Sequence, residues 1–92
     1  MEKTITIEQN NYIIIENYRE GYDEGEFRSK LTDFFYDYDY VLGDWAYGKL
    51  RLKGFYDSNN KKVKDLNNYK NIKDYIKNNC AYGCKYFIAK KV

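Results

Sequence analysis

The chain has 92 residues and a mass of 11.1 kDa, which is enough for one domain with a modest core and no more. It contains no histidine, so Ser-His-Asp and Cys-His catalysis, histidine-ligated metal sites and histidine pH switches are excluded. The net charge of +2 is unevenly divided: residues 1–44 carry 4 basic and 11 acidic side chains, a net −7, and residues 45–92 carry 12 and 3, a net +9. We expect a single domain over residues 1–92 whose basic half either attracts a polyanion or is compensated internally by the acidic half.

The first two elements are predicted to be the strands of a hairpin. Residues 4–8 and 12–16 are β-branched or aromatic runs, a composition typical of strands. Gln9, Asn10 and Asn11 separate them, and the asparagine side chains suit a turn.

An amphipathic helix is predicted over residues 24–36. Asp23 and Glu26 have the spacing of an N-cap residue and an acidic N3 residue. Apolar side chains follow at helical spacing at Phe27, Leu31, Phe34 and Phe35.

Two further strands are predicted over residues 39–43 and 49–55, joined by the segment 43–48. In the second strand leucines alternate with basic residues, in the order Lys49, Leu50, Arg51, Leu52 and Lys53. This alternation predicts one buried face and one basic face.

The polar segment 61–70 is predicted to be a loop, and a second helix follows it. Asn71 is the expected cap, with Asp74 three residues on, and Gly83 is placed to end the helix. The apolar stripe of this helix comprises Ile72, Tyr75, Ile76 and Cys80.

The final element is predicted to be a central strand. Residues 84–89 are apolar at nearly every position, as expected of a strand covered on both faces. The element order is then ββαββαβ. This order predicts a single α+β domain in which two helices pack on one face of a mainly antiparallel sheet of about five strands.

A cytoplasmic protein without membrane contact is expected. The longest apolar run, residues 12–15, is far shorter than the roughly 18 residues of a membrane span, and the first residues lack the apolar stretch of a signal peptide. In a reducing compartment Cys80 and Cys84 are expected to be free thiols with a structural role. Structural zinc needs four ligands, so no metal or other cofactor is predicted.

Two stretches of the sequence resemble the signature of the YutD-like family. One is residues 38–55, which include Gly43-Asp44-Trp45, and the other is residues 72–91, which include Cys80-Ala81-Tyr82-Gly83-Cys84. The resemblance extends from Tyr12 onwards and departs mainly in the 61–70 loop. These are small uncharacterised proteins of low-GC Gram-positive bacteria. The resemblance implies an intracellular α+β domain and an important Gly-Asp-Trp segment, and it supplies no activity, substrate or partner.

The segment 43–48 and the basic strand after it form the candidate binding site. Two aromatic residues lie between glycines, which let the backbone turn sharply, and odd-numbered positions are expected to share one face of an extended backbone. Aromatic side chains could then stack on bases while basic ones reach phosphates, unless the tryptophan is part of the core. The candidate residues are Gly43, Asp44, Trp45, Tyr47, Lys49, Arg51 and Lys53.

No enzymatic activity is predicted. The acidic residues Asp33, Asp37, Asp39 and Asp44 are explained more simply as solvated charges than as an acid–base or metal site. We therefore expect a binding module whose basic strand and Gly-Asp-Trp hairpin contact RNA, for example structured RNA in the translation apparatus. The alternative is a protein-interaction adaptor, binding an acidic partner or a second copy through Trp45, Tyr47 and a tyrosine-rich surface.

Overall fold

A computed structural model describes residues 4–79 and 84–92 of the chain. Strands and α-helices in this part of the chain follow the predicted order ββαββαβ. They are β1 (Thr4–Ile7), β2 (Asn10–Tyr18), α1 (Glu24–Lys30), β3 (Tyr40–Ala46), β4 (Lys49–Phe55), α2 (Ile72–Asn79) and β5 (Tyr86–Lys91).

The five strands form one sheet in the order β1-β2-β5-β3-β4, with antiparallel pairing between all neighbours. The predicted α+β class and antiparallel sheet are therefore confirmed. The last strand lies at the centre of the sheet, as its apolar sequence predicted, although it begins at Tyr86 and not at Cys84. β1 and β4 are the two edge strands.

The two helices lie on opposite faces of the sheet, so their predicted placement on one face is wrong. Neighbouring residues of a strand point to opposite faces. Phe87 of β5 packs in one core cluster with Phe27 of α1, whereas Tyr86 packs in the other with Ile72 of α2. A central strand that is apolar at successive positions needs a cover on each face, and each helix supplies one. These faces are called the α1 face and the α2 face below.

The predicted hairpin at the start of the chain is confirmed, with its turn earlier than expected. Ile7 pairs with Asn10, so the turn consists of Glu8 and Gln9, whose φ angles are 48° and 72°. Two residues in the left-handed region match the twist of the flanking strands. Asn10 is consequently part of β2.

Helix α1 begins as predicted but ends at Lys30, six residues before the predicted end. The Asp23 carboxylate caps it, accepting a hydrogen bond from the Glu26 N–H at 3.1 Å. Leu31 and Thr32 are extended, and a short 3-10 turn, Asp33–Phe35, follows. The apolar positions beyond the helix still contribute to the same core: Leu31 and Phe35 pack in the cluster that contains Phe27, whereas Phe34 is exposed.

Helix α2 begins at Ile72, as predicted. The predicted contribution of Cys80 to its apolar stripe, and its predicted end at Gly83, lie outside the described residues. The 61–70 segment contains a 3-10 turn at Asp65–Asn67, and a second turn, Tyr69–Asn71, leads into the helix.

Candidate functional site

The β3–β4 hairpin has a much shorter turn than the sequence suggested. Ala46 pairs with Lys49, so only Tyr47 and Gly48 form the turn, with φ angles of 55° and 75°. Tyr47 is fully exposed. Asp44 and Trp45, which the prediction placed in the connecting segment, are paired residues of β3.

This short turn places the predicted aromatic and basic residues on different faces. Residues directly opposite each other in an antiparallel pair point to the same face. Trp45 is opposite Leu50, on the α1 face, whereas Arg51 is opposite Asp44, on the α2 face. The predicted common face for odd-numbered residues is wrong, because the even residues of β3 are opposite the odd residues of β4.

Trp45 anchors a loop to the sheet. Its indole Nε1–H donates a hydrogen bond to the Gly21 carbonyl at 2.7 Å, and the half-buried ring packs against the core of the α1 face. The Lys85 ammonium lies 4.6 Å from the ring centroid, a distance typical of a cation–π contact. The indole is therefore occupied by contacts within the fold.

Asp44 and Arg51 form an ion pair that includes a buried carboxylate. Asp44 is 4% exposed, and Arg51 Nη2 donates to its Oδ2 at 2.5 Å. This hydrogen bond raises the pKa of Arg51. The same nitrogen donates to the Asn79 carbonyl at the end of α2, at 3.3 Å. Arg51 thus serves as the counterion of a buried acid.

The other three candidate residues are Gly43, Lys53 and Lys49. Gly43 is buried, and a Cβ at this position would lie 2.3 Å from the ring of Phe87, so the sheet requires a glycine there. The Lys53 ammonium lies 5.3 Å from the ring centroids of both Phe55 and Tyr75. Lys49 is exposed beside the turn.

Cys84 is disulfide-bonded, so the prediction that it is a free thiol is wrong. The prediction rested on the reducing conditions of the cytosol, which govern whether a disulfide persists there. They do not govern whether the chain brings two sulfur atoms together. Cys80 lies outside the described residues.

A second candidate region, the outer edge of β4, was not predicted. The Trp45 N–H donates to the Lys85 carbonyl at 3.1 Å, so Trp45 directs its backbone groups towards β5. Successive residues of a strand direct these groups to opposite sides, so Asp44 directs its N–H and C=O towards β4, where it is opposite Arg51. Arg51 in turn directs its backbone groups towards β3. The residues on either side of it in the alternation, Leu50, Leu52 and Gly54, therefore direct their N–H and C=O groups outward, away from the sheet.

Tyr56 follows the same alternation and is already paired on that side. Its N–H donates to the Asn67 carbonyl at 2.7 Å, and its carbonyl accepts from the Tyr69 N–H at 2.9 Å, in a parallel bridge with Asn68. In the part of the chain that the structure describes, no strand pairs with the outer edge of residues 50–54.

A groove of about 320 Å³ opens on this edge, and we call it the edge groove. Residues 52–54 of β4 line it. On the α1 face it is lined by Phe34 and by Tyr38, whose ring lies against Gly54. On the α2 face it is lined by Lys64 and Leu66.

The edge groove combines exposed apolar side chains with positive charge. Phe34 is 66% exposed and Leu66 is 86% exposed. Its charged lining residues are Lys53 and Lys64. Sequence analysis assigned Phe34 to the stripe of a helix and left Leu66 in an unplaced loop. A leucine in so polar a segment was the signal that could have identified this surface.

Two features are absent from the described residues. Among the described residues, no group of three or more Cys, Asp and Glu side chains could hold a metal ion. In the same part of the chain, no helix is long and apolar enough to cross a membrane.

Comparison with known proteins gives consistent matches over the chain. A family model described as "Putative antitoxin YutD-like" matches residues 6–90. The protein named "Putative antitoxin YutD" from Bacillus subtilis (strain 168) is 36% identical over 88 residues, which are 96% of this chain and 97% of that protein. The solution NMR structure of protein YutD from B. subtilis, 36% identical in sequence, matches the fold with a TM-score of 0.82 and covers 98% of this chain and 82% of the solved one.

Proposed function

The chain belongs to the YutD-like family, as its motifs predicted, and from this premise we propose that it is a cytoplasmic, non-enzymatic module that acts as an antitoxin by binding a protein partner. The B. subtilis relative is named as a putative antitoxin, which supports the antitoxin role. An antitoxin that acts by contact needs a surface that its toxin can cover.

The observation that carries the proposal is the exposure of Phe34 and Leu66 on either side of the edge groove. Large apolar side chains grouped around a concave surface are typical of protein-interaction sites. Their burial in a complex would contribute about 1.5–3 kcal/mol each when complete. The edge groove is accordingly the proposed contact surface for the partner.

RNA is the second candidate partner, and it is favoured by the fully exposed Tyr47 beside the exposed Lys49. A base could stack on this tyrosine at the hairpin tip. Support for an RNA site is weaker than the sequence suggested, because Trp45 and Arg51 are on opposite faces and Arg51 is paired with Asp44.

Affinity capture from cells that naturally produce the chain can separate these functions. We expect the tagged chain and its Tyr47→Ala variant to recover one protein partner, and the double variant Phe34→Ser/Leu66→Ser to lose it. Expressed alone, that partner should slow growth, and co-expression of the chain should restore growth. Far-ultraviolet circular dichroism and Trp45 emission would show that each variant is folded.

The opposite pattern would overturn the proposal. In that case RNA is recovered in place of a protein, its recovery is lost with Tyr47→Ala, and the double variant behaves like the unmodified chain.

A further inference from the structure

We propose that the edge groove binds an extended segment of the partner as a sixth strand on β4, and that this segment alternates apolar and acidic side chains. This inference rests on the proposed function, since the segment belongs to the protein that the chain would bind. It adds the backbone conformation and the chemical pattern of the ligand.

Outward backbone groups on β4 supply the first argument. Leu50, Leu52 and Gly54 each direct an N–H and a C=O away from the sheet, as derived above from the register. An edge strand of this kind is a template for a further strand, and peptides bind sheet edges in this way in several recognition modules. The residues with outward backbone groups extend from Leu50 to Gly54, a stretch of five residues within β4, so a segment of about five residues, roughly 17 Å long, fits the edge.

The chain itself pairs with this side of the sheet at one position, directly after β4. The segment around Asn68 bridges to Tyr56 on the same outer side, through hydrogen bonds of 2.7 and 2.9 Å. The edge groove begins directly beyond that bridge, and Asn67 lines both. An added segment would therefore continue a pairing that the fold already contains.

The two sides of the edge groove determine which side chains the segment should carry. A strand directs alternate side chains to opposite faces. On the α1 face they would meet Phe34 and Tyr38, which favour apolar residues. On the α2 face they would meet Lys53 and Lys64 beside the exposed Leu66, so a residue such as Glu could pair its carboxylate with a lysine and cover Leu66 with its methylene groups. In the described residues neither lysine is in an ion pair.

Charge also favours an acidic segment of another protein over a second copy of this chain. Pairing β4 with another β4 would bring two sets of Lys49, Arg51 and Lys53 together, and opposed like charges are destabilising. The nearby carboxylates Asp65 and Asp74 line a separate groove on the other side of Leu66. An acidic segment in the edge groove therefore meets lysines and not these acids.

Three synthetic peptides of equal length test the pattern: one alternating Val and Glu, one alternating Val and Lys, and one with the Val and Glu residues grouped into blocks. We expect the alternating Val/Glu peptide to bind the full chain at least about tenfold more tightly than the other two. Amide exchange followed by NMR should slow at Leu50, Leu52 and Gly54 when it binds. Alternate backbone amides of the peptide face β4 and the others face solvent. N-methylation of the set that faces β4 should abolish binding, and N-methylation of the other set should not.

Charge reversal provides the matched variants. The double variant Lys53→Glu/Lys64→Glu should bind the Val/Lys peptide more tightly than the Val/Glu peptide. The control is Lys61→Glu/Lys70→Glu, which has the same net charge but changes lysines outside the edge groove. It should still prefer the Val/Glu peptide. Circular dichroism would show that both fold.

Three results would overturn the inference: no binding of the Val/Glu peptide at millimolar concentration, binding without slower exchange at the three amides, or an unchanged preference in Lys53→Glu/Lys64→Glu. If one of these occurs while Phe34→Ser/Leu66→Ser still loses the captured protein, the proposed function stands and strand addition is wrong. If the double variant retains the captured protein, the proposed function itself is wrong.

Discussion

The β3–β4 hairpin and the outer edge of β4 are adjacent but use their chemical groups in opposite ways. The hairpin carries the distinctive sequence, and its Asp44 and Trp45 bond within the fold: Asp44 pairs with Arg51, and Trp45 donates to Gly21. The edge has an ordinary sequence, and its outward backbone groups are left without a strand partner among the described residues. Distinctive residues here hold the fold together, and the surface available to a partner is built around backbone groups that the sheet does not use.

The largest expected effect tests whether the hairpin is structural. Gly43→Ala should destabilise the chain by about 3 kcal/mol, because the new Cβ would lie 2.3 Å from the Phe87 ring in a closed part of the sheet. Urea unfolding would measure this. Gly25→Ala is the matched control, since its Cβ would meet only the Asp23 carboxylate at 3.5 Å and alanine favours a helix by up to about 1 kcal/mol. Equal stabilities would contradict the structural role.

The second prediction concerns the counterion of the buried acid. Arg51→Met leaves the Asp44 carboxylate buried without its partner, which should cost about 2 kcal/mol, less than for a fully buried pair because 48% of the Arg51 side chain is exposed. Lys49→Met, at an exposed position of the same strand, should change the unfolding free energy by no more than about 0.5 kcal/mol. If the two variants were equally stable, Arg51 would be free to bind an external anion.

A smaller effect is expected beside the edge groove, where Asp37 links the segment before β3 to Tyr56 and to the loop after β4. Lys62 Nζ and the Tyr56 hydroxyl donate to Asp37 Oδ2 at 2.6 and 2.9 Å, and these bonds hold the pKa of Asp37 below its ordinary value. A carboxyl group whose pKa is lowered in the folded state stabilises the fold at pH values above its unfolded-state pKa of about 3.9. This stabilisation is lost as the pH falls through the folded-state pKa.

The Asp37→Asn variant should therefore be less stable than the unmodified chain at pH 7, and the difference should disappear in strong acid. Urea unfolding at a series of pH values would measure it, with the exposed Asp65→Asn as control. A difference that is independent of pH would show that the charge of Asp37 does not stabilise this link.

The smallest effect on stability is expected at the edge itself. Leu66→Ser should change the unfolding free energy by no more than about 0.5 kcal/mol, because Leu66 is 86% exposed. Phe34→Ser should cost no more than about 1 kcal/mol, through its ring contact with Phe35 at 5.1 Å. Thermal unfolding would check both. A large loss would mean that these side chains are part of the core and not a binding surface.

Much of the fold could be predicted from local sequence. The cap at Asp23, the leucine alternation in residues 49–55 and the apolar run in residues 84–89 identified elements that the structure contains. The family was also recognisable from its motifs. Each of these signals depends on a few consecutive residues and is therefore visible before any tertiary contact is known.

The predictions were wrong where the length of one turn decides which face every residue of a strand occupies. Because only Tyr47 and Gly48 turn the hairpin, Trp45 and Arg51 lie on opposite faces. A longer turn of odd length would have placed them together. The edge groove was not predictable in the same way, since nothing in residues 49–55 shows that no strand will lie beyond them. That fact follows from the order of all five strands.

The strand order also has a consequence for how the molecule is made. The β1–β2 and β3–β4 hairpins do not pair with each other, and β5, the last strand along the chain, joins them by pairing with β2 and β3. During synthesis each hairpin can form locally, but the sheet closes only when β5, which follows both hairpins along the chain, has emerged from the ribosome. Until then the apolar faces of two separate hairpins are exposed to proteases, so we expect only molecules that contain β5 to accumulate and to bind a partner.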